Sequence, residues 1–410
     1  MVSESLTLEA RSTSMKEKIK ELVEKYKTKN LEYYFHLHEN PEKSYHEEKT
    51  AAFVIEVLKK LPLDEIKTNV GGFGVTALLK GDAGEGPCVG LRADMDALEV
   101  TETTGVPFAS KNNGLMHACG HDAHTSILLT ACHVLCDLKN ELKGSVKFLF
   151  QPSEELTPHG GAKGMIADGA LENPHVDVIC GLHVWPTIET GSIGIQPGAV
   201  SAASDHIIAK IKGVPCHGSM PEKGRDAVLC TAATIMNLQQ VVSRNISASE
   251  TAVVTIGHTE AGSRYNVVGG EGYIDGTARS FTDEVHDALQ KHIVRVIEGT
   301  AKTYDCEAEI NYMVGYPPTI NDEKMAQIAR SVAIKIGYKA VTEHPIPPTG
   351  EDFAFFAKER PSIFAHLGCR PKNVKSEDMP ALHNDKFLPD QESFPIGVNY
   401  TSNLVAEILK

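Results

Sequence analysis

The feature that most constrains the fold is a regular alternation of helix-like and strand-like segments. Short apolar runs such as GVTALLK, CVGLRAD, SVKFLF and VDVICGLHV are separated by amphipathic stretches, of which residues 47–61 and 122–138 are examples. Strands that alternate with helices favour crossover units on a largely parallel sheet. In such sheets, ligands bind beyond the carboxyl ends of the strands. Asp94, Glu154 and His183 lie at or just after such ends, so the sequence predicts a site there.

A different pattern interrupts this alternation in the second half of the chain. Residues 198–314 have the order strand, helix, strand, strand, helix, strand, which is the split ferredoxin-like arrangement. The first pattern then resumes and ends in a C-terminal helix. We therefore predict an α/β main domain with a mixed sheet, formed by residues 15–197 and 315–410, into which a ferredoxin-like (βαββαβ) unit is inserted. Residues 1–14 are expected to be a disordered or added leader.

Composition and charge limit the class of protein. The 410 residues are 41% hydrophobic and 23% charged, which is typical of a globular protein with about two domains. A net charge of −14 argues against nucleic acid or an anionic membrane surface as the main partner. No apolar run reaches the roughly 20 residues of a membrane span. The nine widely spaced cysteines and the lack of a secretory signal pattern favour reduced thiols and a cytoplasmic protein.

Residue types that bind metals occur in four short segments of the predicted main domain. They are Cys119 and His121 in MHACGHDAHT, Glu154 and Glu155 in FQPSEEL, His183 in GLHVWP, and His383 in LHND. Thiolate, imidazole and carboxylate are the ligands of zinc and similar ions. A single histidine at a strand end is more often a structural residue, and paired glutamates usually form a solvated turn. The convergence of these segments on one predicted edge of the sheet favours a metal site.

Seven sequence blocks occur in the order found in one metallopeptidase family. They are LRADMDAL, MHACGHDAHT, FQPSEE, GLHVWP, HGSMPEKGRDA, GEDFAFF and LHNDKF. Through these blocks the chain, from about Lys16 onward, resembles the amidohydrolase branch of the dinuclear aminoacylase/carboxypeptidase metallopeptidases. That branch includes hippurate hydrolases, N-acyl-amino-acid amidohydrolases and plant auxin-conjugate hydrolases. The resemblance implies a metallopeptidase catalytic domain, with the inserted unit acting as a lid and dimerisation domain.

The resemblance also implies two divalent metal ions per subunit. Cys119 would bridge both ions as a thiolate. His121 and His183 would complete one ion, and Glu155 and His383 the other. The mixed sulfur, nitrogen and oxygen ligands suit Zn, Mn, Co or Ni, so the identity of the metal stays open.

Further roles implied by the resemblance concern proton transfer and the substrate. Glu154 would be the general base and acid, and His217 would stabilise the oxyanion in the site of the neighbouring subunit of a homodimer. Asp94 would orient a ligand histidine. Asn266 and Arg279, on later strands of the inserted unit, are candidates for contact with the substrate.

These residues predict a metal-dependent amidohydrolase that cleaves N-acetyl, N-benzoyl or similar N-acyl amino acids to a carboxylic acid and an amino acid. Water bound to a metal ion can have its pKa lowered to about 7, which supplies hydroxide at neutral pH. Glu154 would take the proton of this water and return it to the leaving amine.

Three alternatives stay open from the sequence. In the first, Cys119 is a nucleophile with His121 or His124 as its base, but this leaves the other candidates without a role. In the second, the chain is a non-catalytic binding protein, for which a damaged ligand set would be expected. In the third, it is a dipeptidase or exopeptidase of the same fold.

Overall fold

The structure is a computed structural model that describes residues 2–343, 345 and 347–410, without the side chains of residues 2–14. Its helices are α1 (Val2–Glu39), α2 (Glu48–Leu58), α3 (His121–Asp137), α4 (Ala162–Ala167), α5 (Ala227–Gln240), α6 (Asp283–Thr303), α7 (Glu323–Lys335), α8 (Phe353–Glu359) and α9 (Phe394–Ile408). Because α1 begins within the expected leader, whose side chains lie outside the described residues, the leader stays a prediction. No helix in the described part of the chain combines the length and apolar composition of a transmembrane span.

The strands form one large sheet, one smaller sheet and two short pairs. In chain order they are β1 (Glu65–Val70), β2 (Gly74–Lys80), β3 (Cys88–Asp94), β4 (Ser145–Gln151), β5 (Val178–Glu189), β6 (Ser192–Gly194), β7 (Gly198–Ser201), β8 (Ala203–Lys212), β9 (Cys216–His217), β10 (Ala252–Ala261), β11 (Val267–Val268), β12 (Glu271–Ser280), β13 (Glu307–Tyr316), β14 (Thr319–Asn321), β15 (Lys339–Val341) and β16 (Ser362–Arg370).

The large sheet is mixed, as predicted. Its spatial order is β1-β2-β4-β3-β5-β16-β6-β15. The four central strands, β4-β3-β5-β16, run parallel, whereas β1, β2 and β6 each pair antiparallel with a neighbour. Because the central strands are parallel, β3 and β4 end at the same edge of the sheet, which is where the sequence predicts the site. The prediction that His183 lies at or just after a strand end is wrong, because β5 continues past this edge to Glu189. His183 still lies near the edge, two residues after Gly181, which pairs with Arg92 of β3.

Helix α3 lies at the centre of the main apolar core. It packs against α1, α9 and β3, and its apolar side chains, Leu129 and Val134 among them, are fully buried. A helix that is apolar on most of its circumference is typical of such a buried position. The burial of α3 holds its first residue, His121, at the edge where β3 and β4 end.

The smaller sheet lies between the two parts of the main domain in sequence. Its spatial order is β10-β12-β8-β13, with every neighbouring pair antiparallel. Helices α5 and α6 pack on this sheet, and a separate apolar cluster that includes Ile207, Leu238, Ile274 and Leu289 lies between them. The elements follow the strand, helix, strand, strand, helix, strand order expected for residues 198–314. The domain boundaries themselves stay a prediction.

Candidate metal centre

The predicted ligand segments meet at a cavity of about 370 Å³. Five residues of these segments line it, namely Cys119, Glu154, Glu155, His183 and His383. His121 is buried behind them, with its Nε2 3.9 Å from Oε1 of Glu155. The prediction that these distant segments converge at one place in the fold therefore agrees with the geometry.

Gly120 allows Cys119 and His121, on either side of it, to face the same place. It has a φ of +88°, and a Cβ atom there would lie 2.4 Å from Cγ2 of Val184. A left-handed backbone and a close approach both favour glycine. Because α3 begins at His121, the turn at Gly120 brings the thiol just before the helix close to the imidazole of its first residue.

Two sets of candidate ligand atoms share the sulfur of Cys119. The ligand atoms of Cys119, His121 and His183 all lie within 4.8 Å of one another. The same holds for those of Cys119, Glu155 and His383. Sγ of Cys119 is 3.5 Å from Nε2 of His183, and Nε2 of His383 is 3.2 Å from Oε1 of Glu155. The two sets correspond to the two ions that the family resemblance implies.

The hydrogen bonds of the buried histidines leave one ring nitrogen of each free to bind a metal. Nδ1 of His121 is 3.2 Å from Oδ1 of Asp96, and Nδ1–H of His183 donates to the carbonyl oxygen of Val184 at 2.7 Å. Nε2 of His121 and Oε1 of Glu155 are buried and have no hydrogen-bond partner in the described part of the chain. Unsatisfied buried polar atoms are costly, and this donor set fits divalent cations.

Carboxylates outnumber cationic side chains around the cavity. In the described part of the chain, Arg92 is the one Arg or Lys side chain that pairs with them, at 2.7 Å from Asp94, 3.0 Å from Glu351 and 2.8 Å from Asp352. The buried or nearly buried carboxylates are Asp94, Asp96, Glu154, Glu155, Glu351 and Asp352. This excess of negative charge in a buried site would be balanced by bound cations.

Glu154 differs from Glu155 in its surroundings. Burial raises the pKa of Glu154 well above its usual range, and the charges of Glu351, Glu155 and Asp352 raise it further, while Arg92 opposes them. The side chain is 9% exposed and lines the cavity. A carboxyl group that can hold a proton at the edge of a cavity is suited to general acid and base catalysis.

The surroundings of Cys119 argue against a nucleophilic role. Burial raises the pKa of its thiol well above the usual range, and the negative charges of Glu155, Glu154 and Asp94 raise it further. An activated cysteine needs the opposite environment, one that favours the thiolate. His124 is also unsuited as its base, because both ring nitrogens are engaged.

Asp96 has the contact with a ligand histidine that the sequence analysis expected of Asp94. Oδ1 of Asp94 is 2.6 Å from Nδ1 of His124, and its Oδ2 is 3.7 Å from His121. Asp96 lies closer to His121, and its Oδ2 accepts a hydrogen bond from the backbone N–H of Glu155 at 3.0 Å. The sequence analysis did not single out Asp96, although it lies in the block LRADMDAL.

Three charged residues near the cavity, Arg92, Glu351 and Asp352, were not predicted from the sequence. Gln151 Nε2 donates to both carboxylate oxygens of Asp352, at 2.8 and 2.7 Å, and Arg92 connects Asp352 with Asp94. The signal that could have found these residues is their position in the blocks LRADMDAL and GEDFAFF.

The three remaining candidates fall into two places. His217 is exposed on β9, where its Nδ1 accepts a hydrogen bond from Oγ of Ser219 at 2.8 Å. Asn266 lies beside it, because its carbonyl oxygen accepts from the N–H of Gly218 at 2.9 Å. Neither residue is among the described residues that line the cavity of this chain, whereas Arg279 is. The roles of all three stay predictions.

Comparisons with known proteins give matches over most of the chain. A family model described as peptidase family M20/M25/M40 matches residues 90–407. The chain is 38% identical over 334 residues to an N-acetyl-L-cysteine deacetylase of Bacillus subtilis, covering 81% of this chain and 78% of that protein. It is 40% identical over 306 residues to an N-acyl-L-amino acid amidohydrolase of Geobacillus stearothermophilus, covering 75% and 81%. A crystal structure of a dinuclear metal-binding M20 peptidase from Bacillus subtilis superposes with a TM-score of 0.80 at 32% identity, covering 94% of this chain and 99% of that one.

Proposed function

Because the chain belongs to peptidase family M20/M25/M40, we propose that it is a metal-dependent amidohydrolase that cleaves N-acyl amino acids to a carboxylic acid and an amino acid. The observation that carries this proposal is the pair of ligand sets that share Cys119, with the carboxyl group of Glu154 beside them in the same cavity. The relatives named as a deacetylase and an amidohydrolase support the same reaction.

The residues of this chain divide the work of the reaction. Cys119, His121, His183, Glu155 and His383 would hold two divalent ions, drawn from Zn, Mn, Co and Ni. When bound, such ions polarise a carbonyl group and lower the pKa of water.

Glu154 would take a proton from the attacking water and return it to the nitrogen of the leaving amino acid. Its raised pKa suits the first step, because a carboxylate with a higher pKa is a stronger base towards the proton of the water. Glu155 cannot easily serve as the base as well, because its Oε1 faces the imidazole of His383.

The walls of the cavity suit the two ends of an N-acyl amino acid. Arg279 is the one Arg or Lys side chain among the described residues that line the cavity, so we propose that it binds the substrate carboxylate. Trp185 stacks on His366 at 4.4 Å between ring centroids, beside Phe364, and these rings offer an apolar surface for the acyl group.

We further propose that the chain forms a homodimer through the inserted unit. Strand β10 is at the edge of its sheet. On α5, which packs against β10, Leu229 and Met236 are 54% and 71% exposed. Unpaired strand edges and exposed apolar side chains favour association. In such a dimer, His217 would stabilise the oxyanion in the partner's cavity, with Asn266 beside it to contact the substrate.

The nine free cysteines are consistent with our expectation of a cytoplasmic protein.

The test is a panel of N-acetyl and N-benzoyl amino acids and unprotected dipeptides. The full chain is reconstituted separately with Zn²⁺, Mn²⁺, Co²⁺ or Ni²⁺, and a chelated sample is the control. We expect hydrolysis of N-acyl amino acids with at least one ion and its loss after chelation. Faster hydrolysis of the dipeptides would replace the proposal with a dipeptidase of the same fold. Activity that survives chelation and is lost on alkylation would replace it with the cysteine mechanism.

A further inference from the structure

Ser153, the residue before Glu154, has a backbone conformation that residues other than glycine rarely adopt. Its φ is +59°, and it follows β4 and Pro152 at the point where the chain turns into the cavity. For a serine this left-handed conformation is strained and persists only where its surroundings hold it. The directions of the Glu154 and Glu155 side chains depend on this turn.

Glu47 holds Ser153 in this conformation. Both the backbone N–H and the hydroxyl of Ser153 donate to Oε1 of Glu47, at 2.8 and 3.0 Å. The hydroxyl of Ser153 in turn accepts from the backbone N–H of Tyr45 at 2.9 Å. Glu47 is fully buried and directly precedes α2, so the position of its carboxylate is fixed by the start of this helix. The contacts therefore join the start of α2 to the residue that precedes Glu154.

The segment of residues 44–47 is also connected to the backbone of Glu155, through Asp96. The hydroxyl of Ser44 donates to Oδ2 of Asp96 at 2.6 Å. That oxygen also accepts the backbone N–H of Glu155, and Oδ1 of Asp96 faces His121. Residues 44–47 thus hold the backbone on both sides of Glu154. Glu47 binds Ser153 directly, and Ser44 binds Asp96, which in turn binds the backbone N–H of Glu155.

We propose that Glu47 is a positioning residue for Glu154. By holding Ser153 in the left-handed conformation, it aims the Glu154 carboxyl group into the cavity while Glu155 turns towards His383. Glu47 itself does not line the cavity. This inference rests on the proposed role of Glu154 as general base and acid.

The contacts of Glu47 distinguish this role from a general contribution to folding. Only Oε1 binds Ser153, and Oε2 is buried without a hydrogen-bond partner among the described residues. A Glu47→Gln side chain can present its amide oxygen to the same two donors. Glu42 provides a matched control. Its Oε2 accepts hydrogen bonds from the backbone N–H and the hydroxyl of Thr50, near the start of α2, at 2.7 and 2.9 Å, and it makes no hydrogen bond to Ser153 in the described part of the chain.

The experiment compares Glu47→Ala, Glu47→Asp, Glu47→Gln and Glu42→Ala in the metal-loaded full chain. The readouts are kcat, KM, bound metal and the midpoint of thermal unfolding. We expect Glu47→Ala to lower kcat by about tenfold to a hundredfold, as a small misplacement of a reacting group does. KM and bound metal should stay within about twofold, because Asp96 still holds the backbone N–H of the metal-ligand candidate Glu155. Glu47→Asp, shorter by one methylene, should lose kcat in the same direction. Glu47→Gln should keep most of the wild-type kcat, and Glu42→Ala should change only the unfolding midpoint.

A second variant tests the conformation directly. Glycine adopts a positive φ without strain, so Ser153→Gly should restore part of the kcat lost in Glu47→Ala. The proposal is overturned if this double variant is no faster than Glu47→Ala, or if Glu47→Asp has the wild-type kcat. If Glu47→Ala does not fold, the kcat values of Glu47→Asp and Glu47→Gln test the proposal instead, since the first should be lowered and the second mostly kept. Unchanged turnover in Glu154→Gln would instead remove the proposed function of Glu154, whatever the Glu47 variants do.

Discussion

At the scale of the residue, Glu154 and Glu155 are adjacent in sequence but have different neighbours. Replacing Glu154 with Gln removes the proton-transfer group and keeps the shape of the side chain. We expect Glu154→Gln to lower kcat by about 10²–10⁴-fold, the usual contribution of general acid and base catalysis. Bound metal should be unchanged. The measurement is steady-state kinetics together with metal analysis, and Glu155→Gln is the matched comparison, since it should lose metal as well as activity.

Cys119 should be required for metal binding rather than for nucleophilic attack. We expect Cys119→Ala to reduce the bound metal substantially, because its sulfur is the atom shared by both ligand sets. Cys132→Ala is the control, because Cys132 is buried in the core cluster and belongs to neither ligand set. Full metal occupancy in Cys119→Ala, measured by elemental analysis after gel filtration, would contradict the bridging role.

The sequence predicts the role of a side chain when a motif marks it, and does not when the role depends on a contact formed only in the folded chain. Cys119, His121 and His183 have metal-binding residue types in short motifs, so the motifs made them candidates and the family resemblance supplied their roles. Asp94 and Asp96 lie two residues apart in one motif, and only their side-chain directions distinguish them. Asp94 faces His124 and Asp96 faces His121, which no periodicity predicts. Glu47 lies over a hundred residues from Glu154 in sequence, and its contact with Ser153 arises only in the folded chain.

At the scale of the element, the turn into α3 is the most constrained piece of backbone at the site. Gly120→Ala would place a methyl group against Val184 in a left-handed conformation, so we expect a loss of about 1–3 kcal/mol in stability and weaker metal binding. Gly169→Ala is the control, since Gly169 has a φ of +79° and nothing within 4 Å of its Cβ position. It should lose about 1–2 kcal/mol and keep its metal affinity. Denaturant unfolding and metal titration measure both effects, and equal metal affinity in the two variants would contradict this account.

The sequence predicts the longer elements of the inserted unit better than the short strands of the chain and the direction of strand pairing. Its four longer strands and two helices have clear apolar periodicity, and the structure has them in the predicted order. By contrast, β6, β7, β14 and β15 have only three or four residues each, too few for a period to be recognised. Periodicity also carries no information on strand direction. The antiparallel pairing of β2 with β4 therefore could not be predicted from the pattern.

At the scale of the whole molecule, the proposed dimer has a direct test. Placing a charge at Leu229 or Met236, as Leu229→Lys or Met236→Lys, should convert the dimer to a monomer in sedimentation experiments. If His217 acts in the partner's cavity, kcat should fall together with dimer content. Ile334→Lys is the control, because Ile334 is an apolar residue on α7, 65% exposed and outside the inserted unit. A variant that is monomeric and fully active would contradict the role of His217 across the dimer.

A buried ion pair within the inserted unit, between His286 on α6 and Asp205 on β8, should make stability depend on pH. Burial lowers the pKa of His286, but its hydrogen bond to Asp205 and the negative charges of Asp205, Asp287 and Asp283 outweigh burial, so the pKa is raised above 6.5. Nε2 of His286 is 2.8 Å from both carboxylate oxygens of Asp205, and Tyr312 donates to the same carboxylate.

Because the folded state binds this proton more tightly than the unfolded state, the contribution of His286 to stability is fully present below pH 6.5. It declines as the pH rises above 6.5 and through the pKa of the folded state. We therefore expect the difference in free energy of unfolding between the wild type and His286→Gln to shrink from pH 6 to pH 8. Urea unfolding across this range measures it, with His292→Gln on the same helix as a control. A difference that grows with pH would mean that His286 is neutral in the folded protein.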